Sequence, residues 1–231
     1  MALNTVLSVE VQPGEIVRYA AQVERLAAAA RQKQEKFTWG AFQTLFGERP
    51  AFHFVSAAES FAALEARGTL ADLVARVLGA SEAPRFLEES GACIVSQRMT
   101  VGVDRPDLSY LRGPLQPGSV RAASVTRIRI RSGGREAFEE LLRKLAEAIP
   151  KLDDPAQLIT RQTLVGNVAE YVAIRPLGAL AELDAQRTPD QLLTQAFGPG
   201  EGGLIFRNGG DAIEQIEREL VGLREELSNP A

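Results

Sequence analysis

The sequence predicts an α+β protein made of two successive units, each with the element order β-α-β-β-α-β. Three observations support this fold class: the chain matches itself when shifted, a segment rich in Pro and Gly separates the two halves, and each half alternates strand-like with helix-like patterns. The match places Gly14–Gly79 on Gly133–Gly198 without a gap, and it is clearest where Gln43–Gly47 falls on Gln162–Gly166. A tandem duplication explains this most simply.

The composition limits the class of protein. The 231 residues are 45% hydrophobic and 24% charged, as in ordinary globular proteins. One Cys and one His exclude an intramolecular disulfide, a His-based zinc site and a Cys cluster, so we expect no metal and no cofactor. The formal charge of -4 argues against nucleic-acid binding through phosphate neutralisation. With no apolar run long enough to span a bilayer and no signal-peptide pattern in Met1–Thr5, we expect a cytoplasmic protein.

The boundary between the units falls where the periodic patterns stop. Residues 111–121 carry Pro and Gly without apolar periodicity, which is typical of a linker. The first unit is therefore predicted to span residues 1–110 and the second unit residues 122–231. After the gap-free region, the match resumes with one extra residue, Arg98–Val103 on Arg218–Leu223.

Each unit is predicted to open with a strand and a long helix. Residues alternate in Val6–Val11 and in Ser124–Arg131, which indicates strands with one buried face. Ala and Leu then recur at helical spacing in Glu15–Gln32 and Arg135–Ile149, and the second of these helices should end at Pro150.

The remaining elements of each unit are two strands joined by a turn, followed by two helical segments. Thr69 and Thr188 stand where helix amino-terminal caps belong. The predicted strands are Trp39–Leu45, Ala51–Val55, Ile159–Val165 and Ala169–Ile174, and the predicted helices are Ala57–Ala66, Leu70–Leu78, Leu177–Gln186 and Pro189–Phe197.

The last element has two interpretations. A stripe of apolar residues in Ile213–Leu227 favours a helix, whereas the alignment with Ile94–Val103 favours a strand followed by a short tail. We favour the strand, because a unit without its fourth strand would leave a sheet edge open. A terminal helix is the alternative.

The predicted order is that of the ferredoxin-like split βαβ unit. The chain resembles the dimeric α/β-barrel superfamily in three features. These are the repeated order of elements, the turn Val11–Gly14 before a helix that contains Tyr19, and the strand Phe52–Val55 before a further helix. This superfamily includes the antibiotic-biosynthesis monooxygenases, the stress-responsive barrel proteins and the NIPSNAP family. The resemblance implies that two halves of one chain build the barrel that relatives make from two subunits.

His53 is the first candidate for a catalytic residue, because its unperturbed pKa lies near neutrality. It lies in mid-strand, and Val172 occupies the matching position of the second unit, so a buried structural histidine is the more conservative interpretation. The resemblance also extends to heme-dependent relatives, and a heme would need His53 as its axial ligand. Cys93 opens an apolar strand and is predicted to be buried and inert.

Three arginines are candidates for ligand binding. Arg127, Arg129 and Arg131 alternate along one strand, so their guanidinium groups share the face that should point into the barrel. They either pair with acidic residues such as Glu217 and Glu219, or they bind a carboxylate or phosphate.

Two aromatic residues and one glycine-rich segment complete the candidates. Trp39 and Tyr171 are able to line a cavity, although core packing is the default for both. The run Gly198–Gly203 follows a helix and lacks the Lys and Ser/Thr of a phosphate loop, so we interpret it as a helix stop and a flexible loop.

Two classes of function agree with these features. The first is a protein that binds a small hydrophobic or anionic metabolite in the barrel lumen, and this class includes a cofactor-free monooxygenase or isomerase. The second is a non-catalytic module for protein interaction or assembly. A small-molecule ligand and a second copy of the chain are therefore the expected partners, with no nucleic acid.

Overall fold

The computed structural model describes residues 2–115 and 118–230, and this part of the chain contains eight β-strands and seven α-helices. In the same residues, no helix combines the length and the apolar character needed to cross a membrane. The strands are β1 Leu3–Val11, β2 Gly40–Phe46, β3 Ala51–Ala58, β4 Ile94–Asp104, β5 Ala122–Ile130, β6 Ile159–Val165, β7 Glu170–Leu177 and β8 Ile213–Leu223. The helices are α1 Ile16–Gln32, α2 Phe61–Arg67, α3 Leu70–Leu78, α4 Ala83–Gly91, α5 Arg135–Lys151, α6 Pro189–Phe197 and α7 Pro199–Asp211.

The hydrogen-bonded order of the strands is β1-β3-β2-β8-β5-β7-β6-β4, and this order closes into a barrel. The chain divides into two compact units: unit 1 contains Met1–Gly102 and Val221–Ala231, and unit 2 contains Val103–Leu220. This division differs from the sequence-based one at two strands. The last residues of β4 belong to unit 2, and the last residues of β8 belong to unit 1. The predicted linker 111–121 includes residues 116 and 117, which lie outside the described residues.

In unit 1, the pairing of β3 with its two antiparallel neighbours β1 and β2 separates two faces of the sheet. Val9 lies opposite Phe52 in the β1–β3 ladder, and both side chains are buried against Tyr19 of α1 in the main apolar core of the unit. Ser8 and His53 form the next pair and project from the other face, because successive residues of a strand point to opposite sides.

Unit 2 repeats this arrangement with β7 between its antiparallel neighbours β5 and β6. Ile128 lies opposite Tyr171, and both belong to the core that Phe138 and Leu141 of α5 complete. The apolar stripe that predicted helix α5 is therefore the face that packs on the sheet. Helix α5 continues one residue beyond Pro150, to Lys151.

A short turn after β8 is built like the turn after β4. In unit 1, the Ser228 hydroxyl donates to the Arg224 carbonyl at 2.8 Å and accepts from the Ala41 N–H at 2.9 Å. In unit 2, the Ser109 hydroxyl likewise accepts from the Thr160 N–H at 2.9 Å and donates to the carbonyl of the residue that starts its turn. Each serine therefore fixes its turn to the neighbouring strand.

The last predicted element is a strand, as favoured by the alignment, and a 3-10 turn at Glu225–Leu227 follows it. Strands β4 and β8 have the same length and nearly the same sequence of buried and exposed positions when Ile94 is placed on Ile213. The shift that places Ile94 on Ile213 is the same as the shift that places Gly14 on Gly133. The prediction of one extra residue before Arg218 is therefore wrong. A shift by one residue would exchange the two faces of the strand.

Both predicted threonine caps are confirmed. Thr69 accepts a hydrogen bond from the Asp72 N–H at 3.2 Å, and Thr188 accepts one from the Gln191 N–H at 3.2 Å. Each cap satisfies one of the amide groups that the first turn of a helix leaves unbonded. Helices α3 and α6 therefore begin where the sequence indicated.

Two predicted helices differ from the structure. The helix predicted over Ala57–Ala66 begins at Phe61, because β3 continues to Ala58 and Ser60 caps α2 through the Ala63 N–H at 3.1 Å. Instead of the helix predicted over Leu177–Gln186, the structure has a 3-10 turn at Leu180–Leu183.

Helix α7 corrects the interpretation of Gly198–Gly203 as a flexible loop. Gly198 ends α6, and Pro199 starts α7 directly after it. A Cβ atom placed on Gly209 would lie 2.4 Å from the Cβ of Leu141 in α5, and one on Gly202 would lie 2.3 Å from the Leu193 carbonyl oxygen in α6. The glycines therefore allow α7 to lie directly on α5 and α6. Helix α4, its counterpart in unit 1, was also missed from the sequence.

Replacing Gly209→Ala should destabilise the protein by about 2 kcal/mol or more, because the added methyl group overlaps with Leu141. The matched control is Gly210→Ala on the same helix, where an added Cβ meets no atom within 4 Å. That control should gain about 0.5–1 kcal/mol from helix propensity. Urea denaturation of both variants measures the difference, and equal effects would show that α7 does not need this close approach.

Candidate ligand-binding site

A cavity of about 980 Å³ lies within unit 1, between the sheet and helices α1 to α4. Its sheet wall is the face that carries Leu7, Val9 and Phe54, which is the face opposite His53. Val23 of α1 and Phe86 of α4 line the helical side. The ligand site was expected in the barrel lumen, whereas this cavity lies on the helix-covered side of the unit 1 sheet. Its size and apolar lining are typical of a site for a small molecule.

The helical wall of the cavity differs from the matching part of unit 2. The position that corresponds to Gly209 of α7 is occupied in unit 1 by Ser90 of α4. Helices α5 and α7 pack more closely together than α1 and α4 do. Since Gly209 permits the close packing in unit 2, we attribute the space beside α4 in part to the larger residue at this position.

Trp39 lines the cavity, as its candidacy for ligand binding requires. Its indole Nε1–H donates to the Leu227 carbonyl at 2.8 Å, and its backbone exchanges hydrogen bonds of 2.9 and 3.0 Å with Asn229. The Phe37 ring lies 5.7 Å from the indole. The segment after β8 therefore holds this wall of the cavity in place. Trp39 is also the only tryptophan of the sequence.

Two polar groups at the α1–α4 side of the cavity were not found from the sequence. Ser90 is 8% exposed, and its hydroxyl has no hydrogen-bond partner among the described residues. Tyr19 is 5% exposed, and burial, with a smaller effect of nearby Cys93, raises the pKa of its phenol. The phenol therefore keeps its proton at neutral pH. A ligand oxygen beside Ser90 would satisfy a group that otherwise pays a desolvation penalty.

A charged group lines the cavity at the other end of the same sheet face. Arg67, the last residue of α2, donates to the Ser56 hydroxyl at 3.4 Å and to the Ala57 carbonyl. Its guanidinium carbon lies 5.2 Å from the centre of the Phe37 ring, within the range of a cation–π interaction. No motif pointed to Arg67, because it ends a short helix without a recognisable pattern.

His53 does not line the cavity. Its Nδ1 lies 2.9 Å from the Ser8 hydroxyl, its Nε2 lies 3.4 Å from the Thr44 hydroxyl, and the residue is 7% exposed. An axial heme ligand needs a ring nitrogen directed at open space, so the residues around His53 do not fit a heme. Cys93 is fully buried, and burial raises the pKa of its thiol. Neither residue is placed to react with a molecule in this cavity.

The three candidate arginines lie in unit 2 and have partners there. Arg127 forms an ion pair with Glu219 at 2.6 Å, and Arg129 lies 3.7 Å from Glu214. Arg131 donates to a backbone carbonyl at the start of β8 at 3.2 Å. These contacts agree with the pairing alternative, in which neighbouring strands supply the counter-charges. An anion site at these arginines stays a prediction.

Tyr171 belongs to a network in unit 2. Its hydroxyl donates to Glu139 at 2.5 Å, and the same carboxylate accepts hydrogen bonds of 2.8 Å from Arg105 and Arg135. The hydrogen bond from Arg105 is the main cause that lowers the pKa of Glu139 to about 2. Burial, assisted by the bond to Glu139, raises the pKa of Tyr171 to about 12. Tyr171 is 1% exposed. Its hydroxyl therefore belongs to a partly buried hydrogen-bonded network around the Glu139 carboxylate.

Comparison with solved structures identifies the fold. The chain matches an anthrone oxidase-like protein (TM-score 0.63, 14% identity, 100% of this chain and 94% of the other). It also matches a candidate monooxygenase from Fusobacterium nucleatum subsp. nucleatum (TM-score 0.58, 10% identity, 96% and 92%) and a mutant chlorite dismutase from Candidatus Nitrospira defluvii in complex with cyanide (TM-score 0.58, 12% identity, 98% and 93%). The chain thus has the dimeric α/β-barrel fold of these proteins.

Sequence comparison adds no narrower class. No protein-family model matches the chain, and no curated protein matches it. At identities of 10–14%, the likeness to the solved structures concerns the fold and not a particular activity.

Replacing Ser90→Ala should raise the stability of the unliganded protein by about 1 kcal/mol, because the unbonded buried hydroxyl is removed. The control is Ser228→Ala, which removes a buried hydroxyl that makes two hydrogen bonds and should cost about 1–2 kcal/mol. Urea denaturation gives both values. A similar loss in the two variants would show that Ser90 is already satisfied.

The Glu139 network should make stability depend on acid pH. Because the pKa of Glu139 is lowered in the folded state, its contribution is complete above pH 4.5 and is lost as the pH falls towards 2. The full contribution is about 2–3 kcal/mol. We expect Glu139→Gln to be less stable than the wild type at pH 6, with the difference shrinking by pH 3 in urea titrations. A difference that does not change with pH would contradict the lowered pKa.

Proposed function

We propose that unit 1 binds a small, largely apolar molecule in the cavity between its sheet and helices α1 to α4. The observation that carries this proposal is the cavity itself, with about 980 Å³ of space lined by apolar side chains and few polar groups. Filling it would bury apolar surface and bring a partner to the Ser90 hydroxyl. The cavity favours this function over a non-catalytic protein-interaction module.

A second candidate is a cofactor-free monooxygenase that acts in the same cavity. It is supported by the likeness in fold to an anthrone oxidase-like protein and to a candidate monooxygenase. Catalysis would need a group that accepts a proton from the substrate near neutral pH. The raised pKa values of Tyr19 and Cys93 make both groups weak candidates for this role, and His53 lies on the other face of the sheet. Binding without catalysis is therefore the better supported function.

Further expectations from the sequence concern the origin of the chain, its relatives, its location and its oligomeric state. The equal lengths of β4 and β8 and the matching serine turns support an origin by tandem duplication. A closer likeness to NIPSNAP barrels, a cytoplasmic location and a homo-oligomeric state stay predictions.

Binding can be measured with the neutral fluorescent probe N-phenyl-1-naphthylamine. We expect a saturable rise in its fluorescence together with quenching of Trp39, which lines the cavity and is the only tryptophan. Val23→Phe places a larger side chain in the cavity and should weaken binding about tenfold or more. Val17→Phe is the matched control on the same helix, because Val17 is 82% exposed and should leave the affinity unchanged.

Equal affinity in the Val23→Phe variant and the wild type would contradict binding in this cavity. Circular dichroism of both variants controls for loss of fold. Oxygen consumption with anthrone as a probe substrate then separates the monooxygenase from a binding protein.

A further inference from the structure

We propose that the molecule bound in unit 1 is an amphipathic anion, with a single carboxylate or similar acidic group held by Arg67 and an apolar body extending towards Tyr19. This inference rests on the proposed function and adds the chemical class of the ligand. It follows from the environment of Arg67, from the charges around the cavity and from the distance between the two polar ends.

Arg67 is held in place by its neighbours and not by an acid. Its guanidinium donates to the Ser56 hydroxyl and the Ala57 carbonyl and lies over the Phe37 ring. Two neutral acceptors and an aromatic face fix the orientation of the group without neutralising its charge. A guanidinium fixed in this way still has free N–H groups in the planar fork that matches a carboxylate.

Among the described residues, the charged groups that line the cavity form no ion pair with Arg67. Arg76, the other arginine of the lining, is paired with Glu35 at 3.2 Å. Glu65 also lines the cavity, but it is exposed at the rim and forms no ion pair with Arg67 within the described residues. An anion next to Arg67 would form charge-assisted hydrogen bonds in partly buried surroundings, where they are stronger than at the open surface.

The two polar ends of the cavity are separated along the strand direction. Ser56, the partner of Arg67, lies opposite Thr5 in the β1–β3 ladder, whereas Tyr19 packs on Phe52, which lies opposite Val9. Four residues of a strand span about 13 Å. Between the two ends, the β1–β3 ladder presents the apolar pair Leu7 and Phe54 to the cavity. A ligand with its acidic group at Arg67 and an extended apolar body of this length would reach the Tyr19 end of the cavity, where an oxygen at its far end would meet the Ser90 hydroxyl.

The experiment compares two probes that differ by one charged group. 1-Anilinonaphthalene-8-sulfonate has the same ring system as N-phenyl-1-naphthylamine and carries one sulfonate in addition. In the Arg67→Gln variant we expect the affinity for the sulfonate probe to fall about tenfold, while the affinity for the neutral probe stays unchanged. The control is Arg49→Gln, because Arg49 is an exposed arginine paired with Glu10 outside the cavity lining. This control should bind both probes like the wild type.

The outcomes separate the inference from the proposed function. Unchanged affinity for both probes in Arg67→Gln overturns the anionic ligand and leaves the cavity as a binding site. An equal loss for both probes overturns it as well, because Arg67 would then support the shape of the cavity and not recognise charge. Failure of both probes to bind the wild type overturns the proposed function together with the inference. In the wild type, added salt should weaken only the sulfonate probe.

Discussion

The pairing of β1 with β3 determines which side chains meet the cavity. Val9 lies opposite Phe52, so the apolar residues of both strands share the face that α1 covers. Ser8 and His53 are the next pair and therefore lie on the other face. Because a strand alternates its side chains, a slip by one residue would exchange these sets and place the imidazole among the helices. This register therefore decides which side chains of β1 and β3 line the cavity.

The two units combine the same order of elements with different helix packing. In unit 2, the glycines of α7 bring its backbone onto α5 and α6, next to the apolar core of that unit. In unit 1, α4 packs less closely on α1, and the space between helices and sheet becomes a cavity. The change from Gly209 to Ser90 at one helix contact thus accounts for part of the difference in helix packing between the two units.

The elements with a strong period were predictable from the sequence, and the cavity was not. Alternation located β1 and β5, and helical periodicity located α1 and α5 to within a few residues. Local pattern misled at α7, since glycines that serve close packing look like a loop when the neighbouring helix is unknown. Arg67 and Ser90 could not be singled out from the sequence, because what marks them is that the described residues give Arg67 no ionic partner and Ser90 no hydrogen-bond partner. Trp39 was a candidate from its residue type, and it lines the cavity, while its role in ligand binding stays a prediction.

Unit 1 is discontinuous in the chain, since residues from 221 onwards complete it after all of unit 2 has been passed. Leu227 and Asn229 hold the Trp39 wall, although nearly the whole length of the chain separates them from it. During synthesis, unit 2 is therefore the first unit whose residues are all available. Trp39 of unit 1 lacks its partners Leu227 and Asn229 until those residues have been made. The residues that line the cavity, between Thr5 and Val101, are made before unit 2, whereas the contacts that hold Trp39 form only after residues 227–229 have been made.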